Sequence, residues 1–201
     1  MQTIYQNFIG YGKQWIDQDD IDSVVNVLKS EMITQGEKVD YFEESLCSLT
    51  EAKHAIVVSN GTAALHLTML ALNIGKEDWI ITTPNTFIAS SNAALFCDGN
   101  VSFVDIDPLT YLISPQALED HLKSLQKKGR KLPKAIVNVL FAGSSSNIKD
   151  IFQIAKKYNI TVIEDACHAV GGRYQESGRR VGCGQFADFT IFSFHPVKHI
   201  T

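Results

Sequence analysis

The sequence predicts an α/β fold, a three-layer sandwich in which a mostly parallel sheet is covered by helices on both faces. Two observations predict it. From residue 54 onward, short runs rich in Val and Ile alternate with helical stretches, the pattern produced when each crossover helix returns the chain to a parallel strand. Those runs are apolar at nearly every position, as strands buried on both faces require. Residues 1–50 carry no such run and read instead as a separate N-terminal helical segment.

The 201 residues, 45% hydrophobic and 20% charged, suit one α/β domain or two small ones with a real core. A net charge of −4 and a pI near 5.8 give no electrostatic reason to expect nucleic acid or an anionic membrane as partner. No apolar run reaches the roughly 20 residues that span a bilayer, and the N-terminus has no basic stretch followed by an apolar one, so it does not read as a secretory signal. Cys47, Cys97, Cys167 and Cys183 show neither C-x-x-C nor metal-ligand spacing. Scattered thiols of this kind fit a reducing, cytoplasmic setting.

In chain order, Asp17 can cap a helix whose Ile21, Val24, Val25 and Leu28 form one apolar stripe. A break around Met32 to Gly36 leads to a second helix with Val39, Phe42, Leu46 and Leu49 inward. Residues 54–58 read as the first of six strands. Ser59-Asn60-Gly61-Thr62 then opens a helix from Ala63 to Leu72. Residues 79–83 are the second strand, followed by a Pro84 turn and an alanine-rich helix ending near Gly99. Residues 101–104 are the third. Ser114 and Pro115 give an N-cap and a proline at the first helical position, with Leu118, Leu122 and Leu125 buried. The fourth strand covers 134–140, and Asn147 caps the helix bearing Ile151 and Ala155. Residues 160–163 form the fifth strand, 171–184 a glycine-rich excursion, and 189–192 the sixth.

Open parallel sheets bind ligands beyond the carboxyl ends of their strands. Ser59 to Thr62, Pro84 to Phe87, Asp165 to His168 and Ser193 to Lys198 each come just after a predicted strand, so distant segments converge on one edge. Small residues at a helix N-terminus favour a phosphate, although the same residues also make a plain N-cap. Neither a Walker A spacing nor a G-x-G-x-x-G fingerprint is present, which disfavours an unrelated nucleotide-binding domain. Asp165, ending an apolar strand, needs hydrogen-bond or cationic partners to stay charged. It can cap a helix in the next segment or pair with a protonated ring nitrogen. His168 can serve a ligand or fill a polar gap, and Phe87 can sit in the core or stack on a flat ring. Lys198 alone would be an ordinary surface lysine. With a phosphate cradle, an aromatic plate and a buried Asp on the same edge, it completes the set that pyridoxal 5′-phosphate requires. In that setting the lysine forms a Schiff base, the Asp keeps the pyridine nitrogen protonated, and the freed amine later carries a proton.

Tyr11-Gly12-Lys13-Gln14-Trp15, Ile33-Thr34-Gln35-Gly36, Ser59 to Leu65, Thr83 to Phe87, Glu164 to Ala169 and Phe192 to Lys198 resemble the DegT/DnrJ family of sugar aminotransferases over almost the whole chain. The resemblance implies the fold-type I large domain with pyridoxal 5′-phosphate as cofactor. Thr62 and Ala63 would then bind the phosphate and Phe87 would stack on the ring. Asp165 would pair with the pyridine nitrogen, His168 approach the ring hydroxyl, Ser193 reach the phosphate, and Lys198 be the Schiff-base lysine. Related dehydratases carry histidine at that last position, so Lys198 points to amino transfer.

Phe141-Ala142-Gly143, Cys167-His168 and His195 to His199 are most similar to family members of pseudaminic acid biosynthesis, which aminate a UDP-linked 4-keto-6-deoxy-N-acetylhexosamine using L-glutamate. Asn138 and the run Ser144-Ser145-Ser146-Asn147 depart from many relatives. The resemblance further implies that 51–201 form part of the large domain, that a C-terminal small domain is absent from these 201 residues, and that full-length members are homodimers. On that basis the 201 residues alone are expected to have little or no transaminase activity. A non-catalytic remnant or binding module of the same fold is the alternative.

Overall fold

The computed structural model describes residues 14–199. The similarity at Tyr11 to Lys13, and the last two residues, Ile200 and Thr201, fall outside that span. The elements run α1 (Gln18–Leu28), α2 (Glu37–Thr50), α3 (Gly61–Ala71), β1 (Trp79–Thr82), α4 (Ala89–Leu95), β2 (Asn100–Phe103), α5 (Pro115–Lys127), β3 (Ala135–Val139), α6 (Ile148–Tyr158), β4 (Thr161–Asp165) and β5 (Phe189–Ile191). The strands form one sheet in the order β2-β1-β3-β4-β5, every pair parallel.

Neighbouring residues on each central strand feed two separate cores. Ile81, Ile136 and Val162 pack in the layer of α5 and α6, while Ile80, Val137 and Ile163 pack in the layer of α3 and α4. Burying an Ile or Val completely is worth roughly 1.5–3 kcal/mol, so these two-faced strands are the principal apolar contribution to the fold. They also explain the continuous apolar runs in the sequence.

The connection through α4 carries the chain from β1 outward to β2. The connection through α5 brings it back past β1 to β3. Strand order therefore reverses between β1 and β3, and the carboxyl ends beside that reversal form the crevice where such sheets bind ligands.

Three expectations are corrected: the strand at 54–58, the inward face of α2 and the capping of α6 by Asn147. The run 54–58 is not a strand, so the sheet has five strands among the described residues rather than six. Extended backbone needs a ladder partner for its polar groups. This run has none among the described residues; the Val57 N–H donates instead to the Glu43 carboxylate at 2.8 Å. In α2, Val39 and Leu49 are exposed rather than inward, whereas Phe42 and Leu46 are half-buried, with Phe42 edge-on to Phe194.

Helix boundaries follow side-chain chemistry. Asp17 accepts from the Asp19 and Asp20 amides, and Asp20 accepts from the Asp17 amide, a reciprocal capping box. Ile21, Val24 and Leu28 of that helix nevertheless face solvent. Ser114 caps α5 with Pro115 in its first turn, and Leu118 and Leu122 are fully buried. Asn147 stands at the start of α6 as expected. Its side chain does not cap: Nδ2 donates to the Ile113 carbonyl at 2.6 Å, while Oδ1, the atom that would accept from a helix amide, is buried without a hydrogen-bond partner among the described residues. Among the described residues, no helix is long and apolar enough to cross a membrane.

At the amino end of β1, Asp78 meets Lys131 at 2.8 Å and Lys134 at 2.7 Å and accepts from the Gly75 amide. The hydrogen bonds from Lys131 and then Lys134 pull its pKa down to about 2. Because the folded value lies below the unfolded 3.8, the stabilisation is complete above about pH 4 and disappears as pH falls towards 2. With both lysines substantially exposed and screened, Asp78→Asn should cost about 1 kcal/mol at pH 7. Urea unfolding should show the gap from wild type narrowing at pH 3; an unchanged gap would refute this account of Asp78.

Candidate active site

Two consecutive carboxylates close β4, and the pleat sends them to opposite faces. Asp165 points into the α4 layer and is only 6% exposed. Its Oδ2 accepts from Ser90 Oγ at 2.6 Å, and its Oδ1 accepts from the Cys167 amide at 3.3 Å. Ser90 Oγ lies 2.7 Å from Thr86 Oγ1. No helix begins directly after Asp165, so its capping is limited to the turn at Cys167. Burying a carboxylate is costly unless donors satisfy it, and these two donors meet that need.

Glu164 lies in the other layer, fully buried. The Tyr174 hydroxyl sits 3.0 and 2.8 Å from its two oxygens, and Thr190 Oγ1 donates at 2.8 Å. Burial raises its pKa to about 7 against the opposing effect of these hydrogen bonds. Glu164 thus ties the 171–184 excursion to the sheet and takes no part in the crevice.

Past β5 the chain turns back, the Lys198 amide donating to the His195 carbonyl at 2.8 Å. This brings Lys198 Nζ to 2.8 Å from His168 Nε2, both side chains half-buried. The contact fits the tautomer in which Nε2 accepts from the amine and Nδ1 carries the ring proton. Burial is the larger cause that lowers the His168 pKa and the Lys198 charge the next, with Asp165 opposing them. Phe141 packs against His168 at 6.4 Å between ring centroids, and Tyr111 against Phe141 at 6.5 Å. Gly143 lets this wall close. A Cβ there would stand 2.6 Å from the His168 carbonyl oxygen, and its φ of +80° suits only glycine.

At the start of α3, Asn60 Oδ1 accepts from the Ala63 amide at 2.8 Å, leaving the Gly61 and Thr62 amides without a hydrogen-bond partner among the described residues. Gly61 permits close seating of this helix end, since a Cβ would lie 3.3 Å from Cys167 Sγ. Phe87 is 71% exposed and therefore not a core aromatic. Ser193 is half-buried, its Oγ accepting from the His195 amide at 3.4 Å.

The structure thus joins His168 to Lys198 directly and places Asp165 on the same turn as His168. Thr62 and Ala63, Phe87 and Ser193 reach the same sheet edge on separate segments. Thr86 and Ser90 were not foreseen from sequence. Ser90 sits in an alanine-rich helix and reads as a small packing residue, and its partner is 75 positions away. No local pattern reports such a contact. The assembled chemistry is an amine beside a neutral imidazole, a buried carboxylate, unpaired amides at a positive helix end, and an exposed aromatic.

Comparison with known proteins identifies the family and the fold. The model of the DegT/DnrJ/EryC1/StrS aminotransferase family matches residues 14–201. A UDP-4-amino-4,6-dideoxy-N-acetyl-β-L-altrosamine transaminase of Campylobacter jejuni subsp. jejuni serotype O:23/36 (strain 81-176) is 46% identical over 193 residues, covering 96% of this chain and 49% of the relative. Helicobacter pylori PseC, an aminotransferase involved in the biosynthesis of pseudoaminic acid, superimposes with a TM-score of 0.83 at 34% identity, covering 96% of this chain and 49% of PseC. The PLP-form of Spr1654 from Streptococcus pneumoniae gives 0.84 at 28% identity, covering 96% and 50%. The chain spans about half the length of the curated relatives it matches. Its parallel sheet with flanking helices is that of the fold-type I aminotransferases. By family model and by relatives alike, the chain belongs to the DegT/DnrJ/EryC1/StrS aminotransferases.

Proposed function

We propose that the whole protein is a pyridoxal 5′-phosphate-dependent aminotransferase acting on a nucleotide-linked 4-keto-6-deoxy sugar, with L-glutamate as amino donor, in pseudaminic acid or related sugar biosynthesis. The observation that carries this reading is the Lys198 amine held 2.8 Å from His168, on the edge where Asp165 is buried. The names of the Campylobacter relative and of PseC support the sugar substrate. In this reading residues 51–201 supply part of the cofactor-binding large domain and 1–50 an N-terminal helical segment, with the small C-terminal domain of the full-length enzyme lying outside the 201 residues.

The residues present fit the cofactor. Unpaired Gly61 and Thr62 amides at a helix N-terminus suit a dianionic phosphate, with Thr62, Ala63 and Ser193 beside it. A buried, hydrogen-bonded carboxylate suits a protonated ring nitrogen. The exposed Phe87 ring is free to cover a flat heterocycle. When bound, the cofactor supplies an electron sink for charge developing on a substrate carbon.

Each residue then has a physical task. Lys198 would hold the cofactor covalently, and its freed amine would move a proton. His168 would accept from the Lys198 amine through Nε2, 2.8 Å away, and orient it. Its lowered pKa keeps it an acceptor. Asp165 would hold the proton on the ring nitrogen. The solvent-facing Ile21, Val24 and Leu28 of α1 suit burial against a second copy, at roughly 1.5–3 kcal/mol each, in a homodimer of the full-length protein.

Borohydride reduction of the chain with pyridoxal 5′-phosphate, followed by peptide mass spectrometry, should yield one stable adduct on Lys198 and none in Lys198→Ala. An adduct confined to other lysines would contradict the assignment. The His168 titration followed by NMR should lie below the ordinary 6.5, with stability falling as pH drops below 6.5 because the unfolded chain takes the proton first. Lys198→Ala should raise the midpoint only part of the way, since burial is the larger cause; full restoration would show that the charge dominates.

A further inference from the structure

We propose that Ser90 is a positioning residue which, with Thr86, forms a one-way hydroxyl relay tying the Phe87 loop to the Asp165 carboxylate. The inference rests on the reading of Asp165 and Phe87 given above, and it concerns residues to which that reading gives no role. Ser90 is completely buried. Its hydroxyl has one proton, and at 2.6 Å from Asp165 Oδ2 that proton must face the carboxylate, an acceptor-only group. Thr86 Oγ1, 2.7 Å from Ser90 Oγ, is then the donor to Ser90. Both protons therefore run towards Asp165. The direction holds only while Asp165 is ionised, which is the form that can keep a ring nitrogen protonated.

The relay also explains how an exposed aromatic is held. Phe87 gains little from packing at 71% exposure, so its backbone has to be fixed. Asn85 Nδ2 donates to the Tyr111 carbonyl at 3.0 Å on one side of Phe87. On the other side the Ser90 amide donates to the Phe87 carbonyl at 3.1 Å. Thr86, immediately before Phe87, joins the loop to Ser90 and so to β4. The plate and the ring-nitrogen carboxylate are set by one hydrogen-bonded unit.

The test uses the 201-residue chain. Hydrogen–deuterium exchange of amides 85–88 should rise roughly three- to tenfold in Ser90→Ala, Thr86→Val and Asp165→Asn, with the sheet amides unchanged, while Thr86→Ser should keep the wild-type rate. Thr86 is only half-buried, so its variants keep the test valid if Ser90→Ala does not fold. Wild-type exchange of this loop in Ser90→Ala, or in Thr86→Val, overturns the relay. Ring-nitrogen 15N NMR of added labelled pyridoxal 5′-phosphate provides the second readout. Ser90→Ala should move that signal towards the unprotonated position, in the same direction as Asp165→Asn. A signal moved by Asp165→Asn alone leaves the Asp165 reading intact and overturns the relay's hold on the carboxylate. A signal unchanged even by Asp165→Asn, with the loop loosened in Ser90→Ala, overturns the Asp165 reading and keeps the tie.

Discussion

The site depends on keeping a negative charge buried at the end of β4. An ion withdrawn from water costs several kcal/mol unless its lone pairs are occupied, and Asp165 is nearly inaccessible. The fold offsets that cost with groups already fixed by the sheet and its α4 cover: the Ser90 hydroxyl and the Cys167 amide. Both come from rigid places, a buried helix turn and the tight turn after the strand, so the carboxylate is held without a mobile counter-ion. The same turn after Asp165 delivers His168 to Lys198, which makes the position of the amine a consequence of the position of the strand end.

The pleat separates two carboxylates that adjoin in sequence. Glu164 and Asp165 differ by one residue and face opposite layers, which gives them different tasks. Glu164, wrapped by Tyr174 and Thr190, secures the 171–184 excursion and is pushed up to about 7 by burial. Its contribution to stability is therefore greatest below the unfolded pKa of about 4.5 and declines as pH rises towards 7. The charge in the crevice is left to Asp165.

Much of the fold and the site was legible in the sequence because it is written in local pattern. The two-faced strands appear as continuous apolar runs, α5 is announced by Ser114 and Pro115, and Asp165, His168 and Lys198 come after strand-like stretches. Local pattern could not report whether a stretch finds its partner. Residues 54–58 have strand composition but no ladder to join among the described residues, and Ile21, Val24 and Leu28 of α1, with Val39 and Leu49 of α2, have the helical period but face solvent. Ser90 failed to show for the same reason in reverse. Its role is a contact with a residue on another element, which neither spacing nor composition encodes.

The central claim is that one sheet edge holds pyridoxal 5′-phosphate between Lys198, Asp165 and Phe87. A crystal structure of the chain grown with the cofactor tests it most directly. The account predicts electron density continuous from Lys198 Nζ, the ring nitrogen against Asp165, the ring face against Phe87 and the phosphate at the start of α3. Density attached elsewhere, or a ring nitrogen turned away from Asp165, would contradict it.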